Sequence, residues 1–91
     1  MEVEWDPEKA AENLRHHGVA FEEGATVFGD PMAKTIPDPD HSIEEDRELT
    51  IGHSASGQTL VVWHTDRGQA IRIIGVRRAE PAERRKYESE E

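Results

Sequence analysis

Thr59-Leu60-Val61-Val62-Trp63-His64-Thr65, the turn Asp66-Arg67-Gly68 and Ala70-Ile71-Arg72-Ile73-Ile74-Gly75-Val76-Arg77-Arg78 form an apolar tract in a chain otherwise rich in charge. Two β-prone runs divided by a short Gly-containing turn read as a hairpin. The first run is nearly continuous in apolar residues, which predicts a central strand covered on both faces. Along the second, strict alternation puts Arg72 and Arg78 on one face with Ile74 and Val76. Arg77 then shares the other face with Ile71 and Ile73. At least one arginine must point away from a simple apolar core.

Upstream, Glu48–Ser54 alternates with Leu49 and Ile51 inward, closed by Ala55-Ser56-Gly57, and predicts a third strand. Residues 37–46 form a polar loop too acidic to pack, after a short strand over Met32–Ile36. Phe21–Phe28 reads as a helix weakened by Gly24 and ended by Gly29-Asp30-Pro31. The clearest helix starts at Asp6-Pro7, where Asp6 caps, Pro7 takes the first position and Glu8 meets the positive dipole end. Ala10, Ala11 and Leu14 form its apolar stripe, and Gly18 stops it. Val3 and Trp5 alternate with charged residues as a short opening strand. Downstream, Pro81 opens a last helix to Tyr87, with a frayed acidic tail over 88–91. The expected fold is a single α+β domain over 1–91, an antiparallel sheet of about four strands with two N-terminal helices and one C-terminal helix.

The chain has 91 residues, no cysteine and a formal net charge of -9. The length allows one domain. Zero cysteine excludes a disulfide scaffold, a thiolate nucleophile and cysteine-based zinc sites. No apolar stretch approaches the roughly 20 residues of a membrane span, and no signal-peptide core follows Met1. The expectation is a cytoplasmic protein without a membrane partner. Net charge by itself speaks against nucleic acid, but its distribution does not. Residues 1–50 carry four Lys/Arg against fourteen Asp/Glu. The window 67–86 carries seven basic residues against Glu80 and Glu83, and six of the seven are Arg. Arginine grips phosphate bidentately, so this asymmetry points to a nucleic-acid or protein partner.

Several short words follow one another along the chain, which has no internal repeat. They are Trp5-Asp6-Pro7 with Lys9 and Asn13, His17-Gly18-Val19 with Phe21-Glu22-Glu23, and Val27-Phe28 with Asp30-Pro31. Glu45 to Arg47 follows, ahead of Ile51-Gly52. Then come Leu60–Val62 with Thr65 and Arg67, Arg72-Ile73-Ile74, Arg77-Arg78-Ala79, and Glu83-Arg84 with Tyr87. In this order and spacing, from Trp5 to Tyr87, the chain resembles the BrnT family of type II toxin–antitoxin systems. The resemblance implies a small ribonuclease toxin with a fold similar to RelE-type toxins and microbial ribonucleases. It also implies arrest of translation, and neutralisation by a ribbon-helix-helix antitoxin (BrnA-like) in a heterotetramer that represses its own promoter. DNA would then be met only through the antitoxin. Two departures stand out: His16 where the family usually has Lys before His-Gly, and Gly75 where Ser is common. If that Lys or Ser touches phosphate, activity here is weakened or depends on His16.

Cleaving RNA without a metal or cofactor needs a base for the 2′-hydroxyl, cations for the non-bridging oxygens and an acid for the leaving 5′-oxygen. A group that splays the target base is often added. Arg72 with Arg77 or Arg78 are the expected phosphate contacts, the alternative for Arg72 being a cross-strand acidic partner. His64, beside Leu60 and Val62 on one face, is a candidate acid or base, although a lone His on an apolar face is more often a hydrogen-bonded core residue. His16 and His17 end a helix whose dipole favours their protonated forms, fitting an acid, a phosphate donor or a simple C-terminal cap. Lys9, Asn13 and His16 or His17 recur as one polar stripe. Tyr87 stacks a base, donates a proton or packs on the sheet, and either Glu48 or Glu83 supplies the base. Catalytic candidates are therefore His17, His64, Arg72, Arg77, Glu83 and Tyr87. RNA-binding candidates are Lys9, His16, Arg67, Arg78 and Arg84.

Asp38, Asp40 and His41 fit neither an EF-hand loop nor a zinc motif, Ser54 and Ser56 lack an elbow motif, and no Gly-rich phosphate loop exists. The expected function is a metal-independent endoribonuclease toxin. The alternatives are a catalytically silent toxin-fold module that tunes its antitoxin's promoter binding, and a non-toxic RNA-binding protein.

Overall fold

The computed structural model describes residues 2–40 and 46–89, and the Thr59–Arg78 hairpin forms the middle of its sheet. The strands are β1 (Glu2–Glu4), β2 (Lys34–Pro37), β3 (Arg47–His53), β4 (Thr59–Arg67) and β5 (Ala70–Arg78), in the spatial order β1-β5-β4-β3-β2. Strands β2 to β5 pair antiparallel, whereas β1 runs parallel to β5. The sheet therefore has five strands and is mixed, correcting the antiparallel four expected. Periodicity marks a strand without naming its partner, and Glu4 meets Arg72 across a separation of 68 residues. A parallel neighbour needs a long crossover, which the intervening chain supplies.

Helix α1 (Pro7–His17) begins as the sequence predicts: the Asp6 carboxylate accepts from Glu8 N at 2.8 Å. Gly18, at φ 70°, ends it by donating its N–H to Leu14 O. The buried residue of the helix is Asn13, while Leu14 is 52% exposed, so the expected apolar stripe is incomplete. Strand β1 pairs only as far as Arg72, and Asn13 then takes over the edge of β5. Its amide nitrogen donates to Val76 O at 2.8 Å and Val19 O at 2.9 Å, and its amide oxygen accepts from Val76 N at 3.0 Å. One side chain thus satisfies three backbone groups that burial would leave costly.

The predicted second helix is shorter than expected. Helix α2 (Phe21–Ala25) gives way to a 3-10 turn over Thr26–Gly29. The Thr26 hydroxyl donates to Glu23 O at 2.7 Å, a local bond that competes with helix propagation. Gly24 weakens the helix for a reason: an added Cβ would lie 2.5 Å from Val76 Cγ2. The core lies between these helices and one sheet face, with Phe21, Val27 and Val19 against Leu60, Val62, Ile73 and Val76.

A β-bulge changes the reading of β5. His64 pairs with Ile73 and Trp63 with Gly75, leaving Ile74 over. Alternation restarts there, so Arg72 and Arg77 share the face turned away from α1 and α2, and Arg78 lies on the other. Strict alternation had separated Arg72 from Arg77. Helix α3 (Pro81–Ser89) extends through Glu88 and Ser89, residues expected to fray. The acidic segment 41–45, with His41 and Glu45, lies outside the described residues, as do 90–91. Among the described residues no helix is long and apolar enough to cross a membrane.

Candidate active site

The sheet face opposite the core presents Arg47, Leu49 and Ile51 from β3, Val61, Trp63 and Thr65 from β4, and Arg72, Gly75 and Arg77 from β5. Helix α3 reaches only one end of it. At the other end a cleft of about 360 Å³ is lined by Lys9, Glu12, Asn13, His16 and His17 of α1, by Arg47, and by the bulged Ile74. Helical spacing explains the convergence, because 9, 12–13 and 16–17 recur every three to four residues on one side of α1. The bulge pushes Ile74 toward that side.

Two cationic side chains, two imidazoles and one carboxylate therefore border a single cleft. The side chains of Lys9, His16 and His17 make no hydrogen bond or ion pair with the described residues. The histidine end is fixed by Arg78, whose guanidinium donates to His17 O at 3.1 Å and to Gln58 Oε1 at 3.1 Å. Gln58 in turn donates to the Glu23 carboxylate at 3.4 Å, which also accepts from the Ser54 and Ser56 hydroxyls. Those hydroxyls, Ser54 first, hold the Glu23 carboxyl below its ordinary value. Arg78 is thus a positioning residue for α1.

The other candidates are distributed more widely. Arg72 pairs with Glu4, Nε at 2.9 Å and NH2 at 2.8 Å, the cross-strand alternative weighed above. Arg77 forms a two-pronged pair with Glu83, both bonds 2.8 Å, and its guanidinium lies 5.2 Å from the centre of the Trp63 ring. Glu83 raises Arg77's pKa and has its own lowered, mainly by that hydrogen-bonded pair. Glu83 also accepts from Glu80 N at 2.8 Å, closing the start of α3 as a capping-box acid does. Arg84 pairs with Glu88 one turn on, and Arg67 is exposed at the end of β4.

Three candidates lie away from this cleft. His64 faces the helix-covered core at 3% exposure, its Nε2 2.7 Å from Thr50 Oγ1 and its ring edge-on to Phe28. Burial lowers its pKa. Glu48, the His64 partner in register, shares that face. Tyr87 is 4% exposed, donates its hydroxyl to Asp30 Oδ2 at 2.5 Å and packs edge-on to His53, so it anchors α3. Backbone donation from His53 N, ahead of the Tyr87 bond, holds Asp30's carboxyl low.

Glu12, Arg47 and Trp63 were not singled out for the site. Glu12 falls on the same helical stripe as Lys9 and His16, and Arg47 alternates with Leu49 and Ile51, signals present in the sequence. Trp63 was hidden inside an apolar run.

The cleft thus gathers Lys9, Arg47, His16, His17 and Glu12 between α1 and the sheet. The model of the BrnT family, ribonuclease toxins of type II toxin–antitoxin systems, matches residues 5–83, and the chain belongs to that family. Among solved structures it is similar to the 1.1 Å crystal structure of the Brucella abortus ribonuclease toxin BrnT. The TM-score is 0.70 and the identity 25%, with 88% of this chain and 97% of that one covered. No curated protein matches the sequence. As a type II toxin it has an antitoxin for a partner.

Proposed function

We propose that this chain is a metal-independent endoribonuclease whose reaction takes place in the cleft between α1 and the open sheet face. The convergence of Lys9, Glu12, His16, His17 and Arg47 on one cleft carries the proposal. Lys9 and Arg47 bind the non-bridging phosphate oxygens. Glu12 takes the 2′-hydroxyl proton as the 2′-oxygen attacks phosphorus. His16 or His17 delivers a proton to the 5′-oxygen as the P–O5′ bond breaks, leaving a 2′,3′-cyclic phosphate and a 5′-hydroxyl. Arg72 and Arg77, each paired with a carboxylate, lie on the same face, and Arg67 is exposed at the end of β4. His16 occupies the position where the family usually carries Lys, so an imidazole replaces a fixed cation there.

In the cell this activity would cut cytoplasmic RNA and arrest translation. A ribbon-helix-helix antitoxin would neutralise it in a heterotetramer, with DNA contacted through the antitoxin alone. The acidic first half suits an Arg- or Lys-rich antitoxin segment. Tightly controlled expression with growth and bulk RNA followed is the test. Growth arrest with fragmented RNA is expected; normal growth with intact RNA at good soluble yield contradicts the proposal. One observation favours a second reading, a catalytically silent module that co-regulates promoter binding. Arg72, Arg77, Arg78 and Arg84 are all engaged inside the molecule. That same null result, with antitoxin binding retained, would support it.

A further inference from the structure

The Arg77–Trp63 pair sits on the open face beside the cleft, and the cleavage chemistry does not use it. Three features make it more than a surface ion pair. First, the Glu83 carboxylate grips both terminal nitrogens of Arg77 at 2.8 Å, which fixes the plane of the guanidinium. Second, that guanidinium lies over the Trp63 ring, 5.2 Å from its centre, while the Arg77 side chain keeps 26% exposure. Third, the register partner of Trp63 is Gly75, which carries no side chain beside the indole. A Cβ added at Gly75 would meet Trp63 Cε3 at 3.8 Å and Asn13 Oδ1 at 3.7 Å, ordinary contacts, so glycine is not needed for the fold to close. Its effect is an open flank beside the indole. Ile74, next in sequence, lines the cleft.

From this geometry we infer that Trp63, Arg77 and the gap at Gly75 form a base-stacking subsite for an unpaired nucleotide next to the scissile phosphate. Aromatic rings and guanidinium planes are the two surfaces on which proteins stack single-stranded RNA bases. Here both are combined and held in place before RNA arrives, so little ordering remains to be done on binding. Arg77 acts through its flat face, with Glu83 as its positioning residue. The occupant is a base of single-stranded RNA, because a paired base does not offer its face. This subsite rests on the ribonuclease proposal above.

The test exploits the count of two tryptophans in the chain. Trp5 packs edge-on to Phe21, 5.9 Å between ring centres, among the residues flanking the core. Trp5→Phe therefore leaves Trp63 as the sole indole reporter. The probe is a short single-stranded RNA with 2′-O-methyl riboses, which cannot be cut. Saturable quenching of Trp63 emission is expected, with much less from a duplex of the same sequence. Arg77→Lys keeps the charge but loses the plane, and should weaken binding about tenfold. Gly75→Val should weaken it similarly by filling the flank, with folding checked by circular dichroism. Binding by anisotropy with Trp63 emission unmoved overturns the subsite, as does equal affinity in both variants. In either case RNA cleavage by the same Trp5→Phe protein would leave the ribonuclease proposal standing. Absence of both binding and cleavage removes the two together.

Discussion

Asn13 and Val76 are joined by a reciprocal pair of hydrogen bonds, 2.8 and 3.0 Å, in which a helix side chain completes the edge of β5. Replacing Asn13 with Ala strands the buried Val76 N–H and C=O together with Val19 C=O. A loss of roughly 2–4 kcal/mol in unfolding free energy is expected, read from urea denaturation. A loss below about 0.5 kcal/mol would mean that water replaces the amide.

Helix α1 was legible in the sequence down to its cap and stop, because those signals are local: Asp6, Pro7 and Gly18. The hairpin was legible too. What was missed depends on distant partners. The parallel pairing of Glu4 with Arg72 has no local signature, and neither has the bulge at Ile74 that brings Arg72 and Arg77 to one face. The site divided along the same line. Lys9, His16 and His17 were visible as a helical stripe, whereas the strand face that Arg47 shares with Leu49 and Ile51 meets that stripe only in the fold. His64, a candidate acid or base by residue type, lies on the core face with Leu60 and Val62, the apolar face its alternation indicated.

Burial lowers the pKa of His64 beneath its ordinary 6.5, so the unfolded chain takes up a proton that the native chain refuses. Where the unfolded state binds more protons, stability falls as pH falls. Unfolding free energy should therefore decline as pH drops below about 6.5, whereas the low-lying carboxyls of Glu23, Asp30 and Glu83 add their losses only below about 4.5. His64→Gln keeps a partner for Thr50 and should flatten the slope just below the ordinary histidine value of 6.5. Parallel slopes in variant and parent would contradict this origin.

Tyr87 ties α3 to Asp30 through one hydrogen bond of 2.5 Å. Tyr87→Phe keeps the ring and removes the bond, at an expected cost of about 1 kcal/mol. Amide exchange should accelerate over residues 81–89 and stay unchanged in β4, which mass spectrometry resolves. Uniform acceleration would show that α3 does not open separately.

Two glycines of the second helical segment should respond oppositely to alanine. At Gly24 the new Cβ meets Val76 Cγ2 at 2.5 Å, and a cost of about 1–3 kcal/mol is expected. At Gly29 nothing lies within 4 Å, so alanine should be neutral or stabilise by up to about 1 kcal/mol. Thermal melts of the two variants decide it.

The cleft is tested most directly by incubating the purified chain with single-stranded RNA in excess EDTA and analysing the ends produced. Fragments bearing 2′,3′-cyclic phosphate and 5′-hydroxyl termini are expected, reduced at least about 100-fold in Lys9→Ala or Arg47→Ala proteins that remain folded. Intact RNA in the presence of folded wild-type protein would contradict the proposed chemistry. Cleavage undiminished in both variants would place the reaction elsewhere on the molecule.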